Sequence, residues 1–390
     1  MPPLNSRAPW KRADLSIRLI IFLTVLTHLS FAGFRVIISL TAIHYEATPF
    51  TVGVVMSLLT VVPMLFAVRW GRTVDRIGVR GPMLGGAALI LAAMVLGWAV
   101  PRLETLFVAS ALAGSGFFLY HIAVGQAAAL IGKPEERVRN FTLLALAFSA
   151  SGFLGPMLAG FAIDGIGHHW AMLALASAAL TTVVVLAARG IETPRHAASA
   201  AHGEKQRLRD LLLAPGFRRI FAVSGTLSVT WDLFAFVTPI YGSQIGLSAS
   251  TIGLILGCFG GAVFAVRLVL PALAHRVNAW RLLIAAMLLS GVLLFAFPLV
   301  KGVPQLMALS FLLGLGLGGT QPYIMSLLYE IAPPGRGAEV LSVRTWLINF
   351  SQTGVPLASG AIGAAAGMLP VFWGMGAALL FAGWFATRRK

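Results

Sequence analysis

The chemically conspicuous residues of this chain are charges set inside long apolar runs. Asp232 is the one acid near the middle of such a run, and Arg35, Arg267 and Arg344 are the basic residues inside others. Each costs roughly 2.5–3.5 kcal/mol at the centre of a membrane helix, so each calls for a partner or a task. A carboxylate there can carry a proton or contact a cation, and an arginine can hold a carboxylate or phosphate. His28, Phe31 and Arg35 follow one another by three and four residues, which places them on one helix face. His121 and Gln321 bring an imidazole that titrates near neutral pH and an amide that can orient a solute. Trp231, beside Asp232, and Tyr120 can wall it. Each has a plainer alternative: neutralisation of Asp232 by an arginine, snorkelling of Arg35 or Arg267, and interhelical hydrogen bonds for His121, Gln321, Gln126, Asn349 and Gln352. For the aromatics the alternative is packing.

Other chemistry is missing from the sequence. It has no Walker-type phosphate loop, no HExxH, no paired Cys/His spacing and no nucleophile constellation. The single cysteine, Cys258, excludes an internal disulfide and a cysteine-rich metal site. The glycine-rich stretch 314–319 lies inside an apolar run, where it reads as close helix packing and not as a dinucleotide loop. These absences imply no metal, no cofactor and no enzyme.

The elements that must position these residues follow from composition. Of 390 residues, 58% are hydrophobic and 11% charged, with mean hydropathy +0.87. A soluble domain carries about 25% charge, so a water-facing surface is excluded. A transmembrane β-barrel is excluded as well, because the apolar segments do not alternate with polar residues. The expected fold is an all-α polytopic membrane protein with twelve transmembrane helices, at 17–43, 50–70, 82–100, 104–131, 140–163, 169–188, 219–242, 250–271, 280–299, 304–331, 341–363 and 368–386.

The net charge of +16 does not point to nucleic acid. All but five of the 29 Lys and Arg residues fall on one side of the twelve-span topology. Arg102 and Lys301 are on the other side, and Arg35, Arg267 and Arg344 lie inside spans. The positive-inside rule then puts both termini in the cytoplasm. The first apolar run is too long for a signal-peptide core and reads as a retained span. The basic, Ala- and Arg-rich composition fits a bacterial inner membrane.

The polar stretch around 189–218 divides the chain into two halves, 1–188 and 219–390, as a cytoplasmic linker with a short surface helix expected at 204–213. The halves repeat each other at an offset of 200. Thr51 and Gly53 match Thr251 and Gly253; Ser110, Gly114 and Gly116 match Ser310, Gly314 and Gly316; Pro156, Gly160 and Gly167 match Pro356, Gly360 and Gly367. His121 corresponds to Gln321, and Asp232 to a position on the His28–Arg35 face. Parallel repeats of this kind enclose a solute site near mid-membrane.

Between spans 2 and 3 stands a loop with Gly71, Asp75, Arg76, Gly78 and Arg80. Gly71 would let two helices approach closely, Gly78 permits a tight turn, and Asp75 suits a helix N-terminus. The loop resembles the cytoplasmic signature of the major facilitator superfamily. Its second-half copy, His275-Arg276, lacks the acid. Gly152, Gly155, Pro156 and Gly160 in span 5 resemble the antiporter motif of that family's exporters, with Ala159 in place of a glycine; small residues there allow close packing. Ser110 stands where many proton-coupled exporters carry an arginine.

The resemblance implies a secondary transporter working by alternating access, as a monomer in lipid, with a small-molecule solute and protons as partners. It implies a conformational lock from the loop residues, with Arg344 as the natural partner of Asp75. With two span arginines against one aspartate, the solute is expected to be anionic or zwitterionic. Arg35, His28, Gln321, Trp231 and Arg267 would bind it, and Asp232 or His121 would carry the proton. The alternatives are a drug or metabolite proton antiporter with a mostly apolar cavity, and a transporter-like receptor or scaffold.

Overall fold

The computed structural model describes residues 9–131, 136–189, 215–273, 278–331 and 337–387. Over these the chain is helical, with no strand. Helices α1 (Pro9–His44), α2 (Pro49–Ile77), α3 (Arg80–Ala99) and α4 (Leu103–Leu130) follow in order. The run Arg137–Ala188 folds back at Gly167, whose φ of 83° and ψ of 164° are non-helical. That turn separates α5 (137–166) from α6 (168–188). Then come α7 (Pro215–Gln244), α8 (Ala249–Leu273) and α9 (Ala279–Ala296), the last closed by a 3-10 turn, Phe297–Leu299. α10 is in two pieces, Val303–Gly318 and Thr320–Ile331, and α11 (Gly337–Ala366) and α12 (Leu369–Thr387) complete the chain.

Among the described residues, ten helices are long and apolar enough to cross a membrane, with Arg137–Ala188 counted once. Divided at Gly167, that run makes two spans. α11 is not among the ten, because Arg344, Asn349 and Gln352 dilute its apolar sequence. With α11 included the architecture is consistent with the twelve expected spans.

Three features differ from expectation. α1 begins at Pro9 rather than residue 17, α2 runs on to Ile77 rather than 70, and span 10 is interrupted at Gly319. Two adjacent glycines, Gly318 and Gly319, weaken the helix there. Thr320 Oγ1 also donates to the Leu317 carbonyl at 2.7 Å, competing with the backbone for that acceptor. The expected surface helix at 204–213 and the His275-Arg276 copy lie outside the described residues.

The offset-200 repeat is built into the backbone. After α1 the chain turns through Glu46 at φ 57°, and after α7 through Gly246 at φ 79°. The same bonds close both turns: Ala47 N–H donates to the Ala42 carbonyl and Leu247 N–H to that of Gly242. Each next helix is capped alike, by Thr48 Oγ1 accepting from Thr51 N–H at 3.2 Å and by Ser248 Oγ accepting from Thr251 N–H at 3.3 Å. The α5–α6 and α11–α12 turns rest on Gly167 at φ 83° and Gly367 at φ 77°, a region that favours glycine.

The chain divides into two compact units, Met1–Ile37 with Leu58–Ala200, and Ile38–Ser57 with Ala201–Lys390. In the first, α3 packs on α4 through Gly86 and Gly116. A Cβ on either would come within 2.5 Å of the other's carbonyl oxygen. α1 meets α5 where a Cβ on Gly155 would lie 2.9 Å from Gly33 N. Ile17, Ile20, Leu23, Met83 and Val124 fill the core between these helices. In the second unit α10 packs on α8, and α9 on α12 through Gly291 and Gly376. A Cβ on Gly114 would overlap the Leu59 carbonyl, and one on Gly314 would overlap that of Phe259. Both contacts recur at the same offset.

This packing separates glycines that are needed from those that are not. Gly114→Ala and Gly314→Ala must each push a helix off its neighbour, at an overpacking cost of about 1–3 kcal/mol. Gly125→Ala meets nothing within 4 Å, and helix propensity favours it by about 1 kcal/mol. Thermal unfolding of the purified chain in mild detergent should show a lowered melting temperature for the first two variants only.

Candidate functional site

In the first unit, α1, α4 and α5 bring two histidines into an aromatic cluster. Phe31 stacks on Phe117 at 4.1 Å between centroids and 5° between planes. His28 lies 5.3 Å from Phe117 and edge-on to Phe148 at 4.9 Å. His121 contacts Phe117 at 5.6 Å and Phe148 at 5.0 Å. The helical spacings explain this: 28 and 31 are three apart on α1, and 117 and 121 four apart on α4. His28 Nδ1 is 2.6 Å from Ser151 Oγ, and Ser151 Oγ donates to the Ala147 carbonyl at 2.6 Å. The single hydroxyl hydrogen is thereby used, so His28 Nδ1 is the donor to Ser151 and Nε2 is left as the acceptor. Arg35 is half-buried further along the same face of α1. Gly155 is the residue of the span-5 motif that makes the close approach, and Gly152 leaves room beside His28.

The second unit puts polar groups at related positions. Asp232, half-buried on α7, accepts from Gln352 Nε2 of α11 at 2.6 Å. Arg344 is 7% exposed. Its Nε donates to Ser224 Oγ at 2.7 Å and its Nη2 to Gln321 Oε1 at 2.5 Å. Gln321 Nε2 reaches toward Ser228 Oγ at 3.5 Å. Trp231 packs edge-on against Phe259 at 4.9 Å, and Arg267 is half-buried on α8. Residues 228 and 321 are the repeat partners of 28 and 121. One pair of positions therefore holds two imidazoles in the first copy and a hydroxyl with an amide in the second.

Asp75 Oδ1 of the loop accepts from Gln126 Nε2 of α4 at 2.9 Å. Among the described residues, nothing lies within 4 Å of where a Cβ on Gly71 would stand. Arg80 caps the end of α6: Nε and Nη2 donate to the Leu186 carbonyl at 3.1 and 3.0 Å, and Nη2 also donates to that of Ala187 at 3.1 Å. The second copy does the same with other chemistry. Trp280 Nε1 donates to the Ala386 carbonyl at 3.1 Å, and Arg219 joins it on that oxygen while lying over the indole ring. Gly78, at φ 83°, makes the expected tight turn, and Arg76 is exposed.

Sequence reasoning missed Phe117, Phe148, Ser151, Ser224 and Ser228. Phe117 was within reach as the residue four before His121, and Ser228 as the repeat partner of His28. Phe148, Ser151 and Ser224 carry no comparable signal, because nothing local distinguishes them from other phenylalanines and serines in spans.

The sequence profile described as Major Facilitator Superfamily matches residues 20–303 and 230–390. The chain is 25% identical over 362 residues to "Multidrug resistance protein MdtG" of Dickeya zeae, covering 89% of this chain and 86% of that one. It is 25% identical over 332 residues to "Multi-drug resistance efflux pump PmrA homolog" of Lactococcus lactis, covering 80% and 78%. Among solved structures it resembles peptide transporter POT in complex with sulfate, with a TM-score of 0.76, 15% identity and 98% of each chain covered. It also resembles a bacterial homolog of the human lysosomal transporter Spinster, with a TM-score of 0.78, 11% identity and 98% and 97% covered. At these identities the structures bear on the fold alone.

The capping geometry of Arg80 is separable from any role in a lock. Arg80→Ala removes a cation from the α6 C-terminus, where helix-end charges contribute about 0.3–1 kcal/mol. Its melting temperature in detergent should fall slightly, and Arg80→Lys should recover part of the loss. An unchanged melting temperature for Arg80→Ala would argue against the cap.

Proposed function

The chain belongs to the Major Facilitator Superfamily, whose members carry small-molecule solutes across membranes, and on that premise we propose that it moves a small organic anion or zwitterion by proton-coupled alternating access. The observation that carries this reading is Arg344. Its guanidinium is buried, and among the described residues its hydrogen-bond partners, Ser224 and Gln321, are both neutral. A buried cation held only by neutral acceptors keeps its charge uncompensated, which favours an anion in contact with it. A guanidinium also has five N–H donors, and these two bonds leave others for a carboxylate or phosphate. Arg344 thus joins the candidates Arg35, His28, Gln321, Trp231 and Arg267 as a solute contact. The proposed lock keeps the loop residues Gly71, Asp75, Arg76, Gly78 and Arg80, together with Arg344, and Gln126 holds the Asp75 carboxylate.

Asp232 is the proposed proton carrier, with His121 second. Its contact with Gln352 supports this, because an amide serves both protonation states. The NH2 donates to a carboxylate, and after rotation the C=O accepts from a carboxylic acid. The proposed setting is a bacterial inner membrane, with both termini cytoplasmic and the protein monomeric.

A second reading, a proton-coupled exporter of apolar drugs or metabolites, draws on the aromatic cluster and on the multidrug names of the two relatives. The two readings separate by experiment. The purified chain would be screened for thermal stabilisation by succinate, benzoate, glutamate and tetraphenylphosphonium, since a ligand of the folded state raises the melting temperature by mass action. Stabilisation by a carboxylate should weaken at least about tenfold in apparent affinity in Arg344→Gln, the scale of one charge-assisted hydrogen bond. Asp232→Asn in proteoliposomes should still exchange that solute but no longer accumulate it against a pH gradient. Stabilisation by tetraphenylphosphonium alone, needing Asp232 and indifferent to Arg344, would favour the exporter.

A further inference from the structure

We propose that Phe117, Phe148 and His121 form a subsite of the first unit that takes a flat aromatic ring of the transported solute. The proposal rests on the reading of the chain as a carrier of organic solutes, but not on the charge of that solute. His121 lies on α4, nine residues before its end at Leu130, and its side chain is exposed. An exposed imidazole at that depth faces either hydrocarbon or water. Among the described residues His121 has ring contacts but no hydrogen bond. Facing lipid would therefore leave its nitrogens unsatisfied at a cost of several kcal/mol. The imidazole accordingly lines a wet cavity, and the half-buried rings of Phe117 and Phe148 border the same opening, since both touch it.

The remaining members of the cluster hold these rings in place. Phe31, 7% exposed, backs Phe117 through the parallel stack, and His28 backs both Phe117 and Phe148 from behind. His28 is itself oriented by its bond to Ser151. A rigid wall of this kind loses little side-chain freedom when a ring settles on it. Aromatic rings prefer offset-stacked or edge-on partners, and the cluster offers both orientations around one imidazole that can hydrogen-bond a ring substituent.

The repeat supplies an internal comparison. The positions equivalent to Phe117, Phe148 and His121 are Leu317, Ile348 and Gln321. A structural requirement for aromatics at this crossing would apply to both copies, yet the second copy is built with aliphatics and an amide. Phe31 keeps an aromatic counterpart in Trp231, but at the three proposed contact positions aromatic and imidazole rings belong to the first copy, as specificity elements would.

The test uses the full-length purified chain and two pairs of probes matched in charge and carbon skeleton. One pair is 1-naphthoate and its decahydro analogue; the other is 1-naphthylmethylammonium and its decahydro analogue. Binding is measured calorimetrically. The aromatic member of at least one pair should bind about five- to tenfold more tightly than its saturated partner. Phe117→Leu and Phe148→Leu, on different helices, should each erase that preference, and a single cooperative thermal transition in detergent reports that the variants are folded. Arg344→Gln should weaken both naphthalene carboxylates equally and keep their ratio. Aromatic preference seen only with the ammonium pair sustains the ring subsite and overturns the anionic reading. Equal binding of aromatic and saturated probes, or a preference that survives both phenylalanine variants, overturns the ring subsite and leaves the anionic reading standing. No binding of any probe overturns it too.

Discussion

A guanidinium drawn almost wholly out of bulk water has to be met by hydrogen-bond acceptors, and the second unit is arranged around that requirement. Arg344 sits two turns inside α11 and is 7% exposed. Ser224 comes to it from α7 and Gln321 from α10, so three helices converge on one side chain. Gln321 also follows directly after the interruption of α10 at Gly319. The arginine and two amides make α11 less apolar, and two of them, Arg344 and Gln352, make its contacts with α7 and α10. These are polar groups retained in spite of the solvation cost, and in a membrane helix that is the ordinary sign of function. Asp232 and Gln352 extend the pattern between α7 and α11.

The two copies of the repeat separate what the backbone needs from what the side chains do. Backbone features recur at the offset of 200: the turns at 46 and 246, the capping hydroxyls at 48 and 248, the fold-backs at Gly167 and Gly367, and the crossings of Gly114 and Gly314. Side-chain chemistry diverges at the same register. His28 and His121 stand against Ser228 and Gln321, and Leu144 against Arg344. Even where the task is identical, as at the carbonyls of Leu186 and Ala386, the donors differ: Arg80 in one copy, Trp280 with Arg219 in the other. A left-handed turn residue shows how far such drift can go. Glu46 occupies the conformation that Gly246 adopts without strain, in a region costing a side-chain-bearing residue roughly 1–2 kcal/mol.

Local physics made the spans, the repeat and the loop turn legible in the sequence. Apolar runs of about 20 residues are bounded by basic loops, and a glycine in the left-handed region marks the turns at 78, 167, 246 and 367. What stayed hidden depends on partners distant in sequence. Arg80 looked like one more cation of the loop, because its acceptors lie 106 and 107 positions away. The glycine run at 314–319 does pack closely, through Gly314. It also breaks α10, since adjacent glycines remove both the steric and the entropic support of a helix. Arg344 was readable as a costly charge but not as a buried one, because which acceptors it meets depends on how α7 and α10 lean against α11.

The same distinction explains why function can diverge within so constrained a frame. The tightest contacts between helices are made by glycines, where a neighbouring backbone sits closer than any added Cβ would allow. These positions tolerate almost no change, and they hold the helix axes wherever the remaining side chains point. Phe117 and His121 follow Gly116 and Gly114 by one and seven residues on one unbroken helix, so each stands at a set angle to a fixed point, and its chemistry can change without moving the frame. A half-transporter duplicated once can accordingly keep a single backbone while one copy acquires aromatic walls and the other a network of charge and amide.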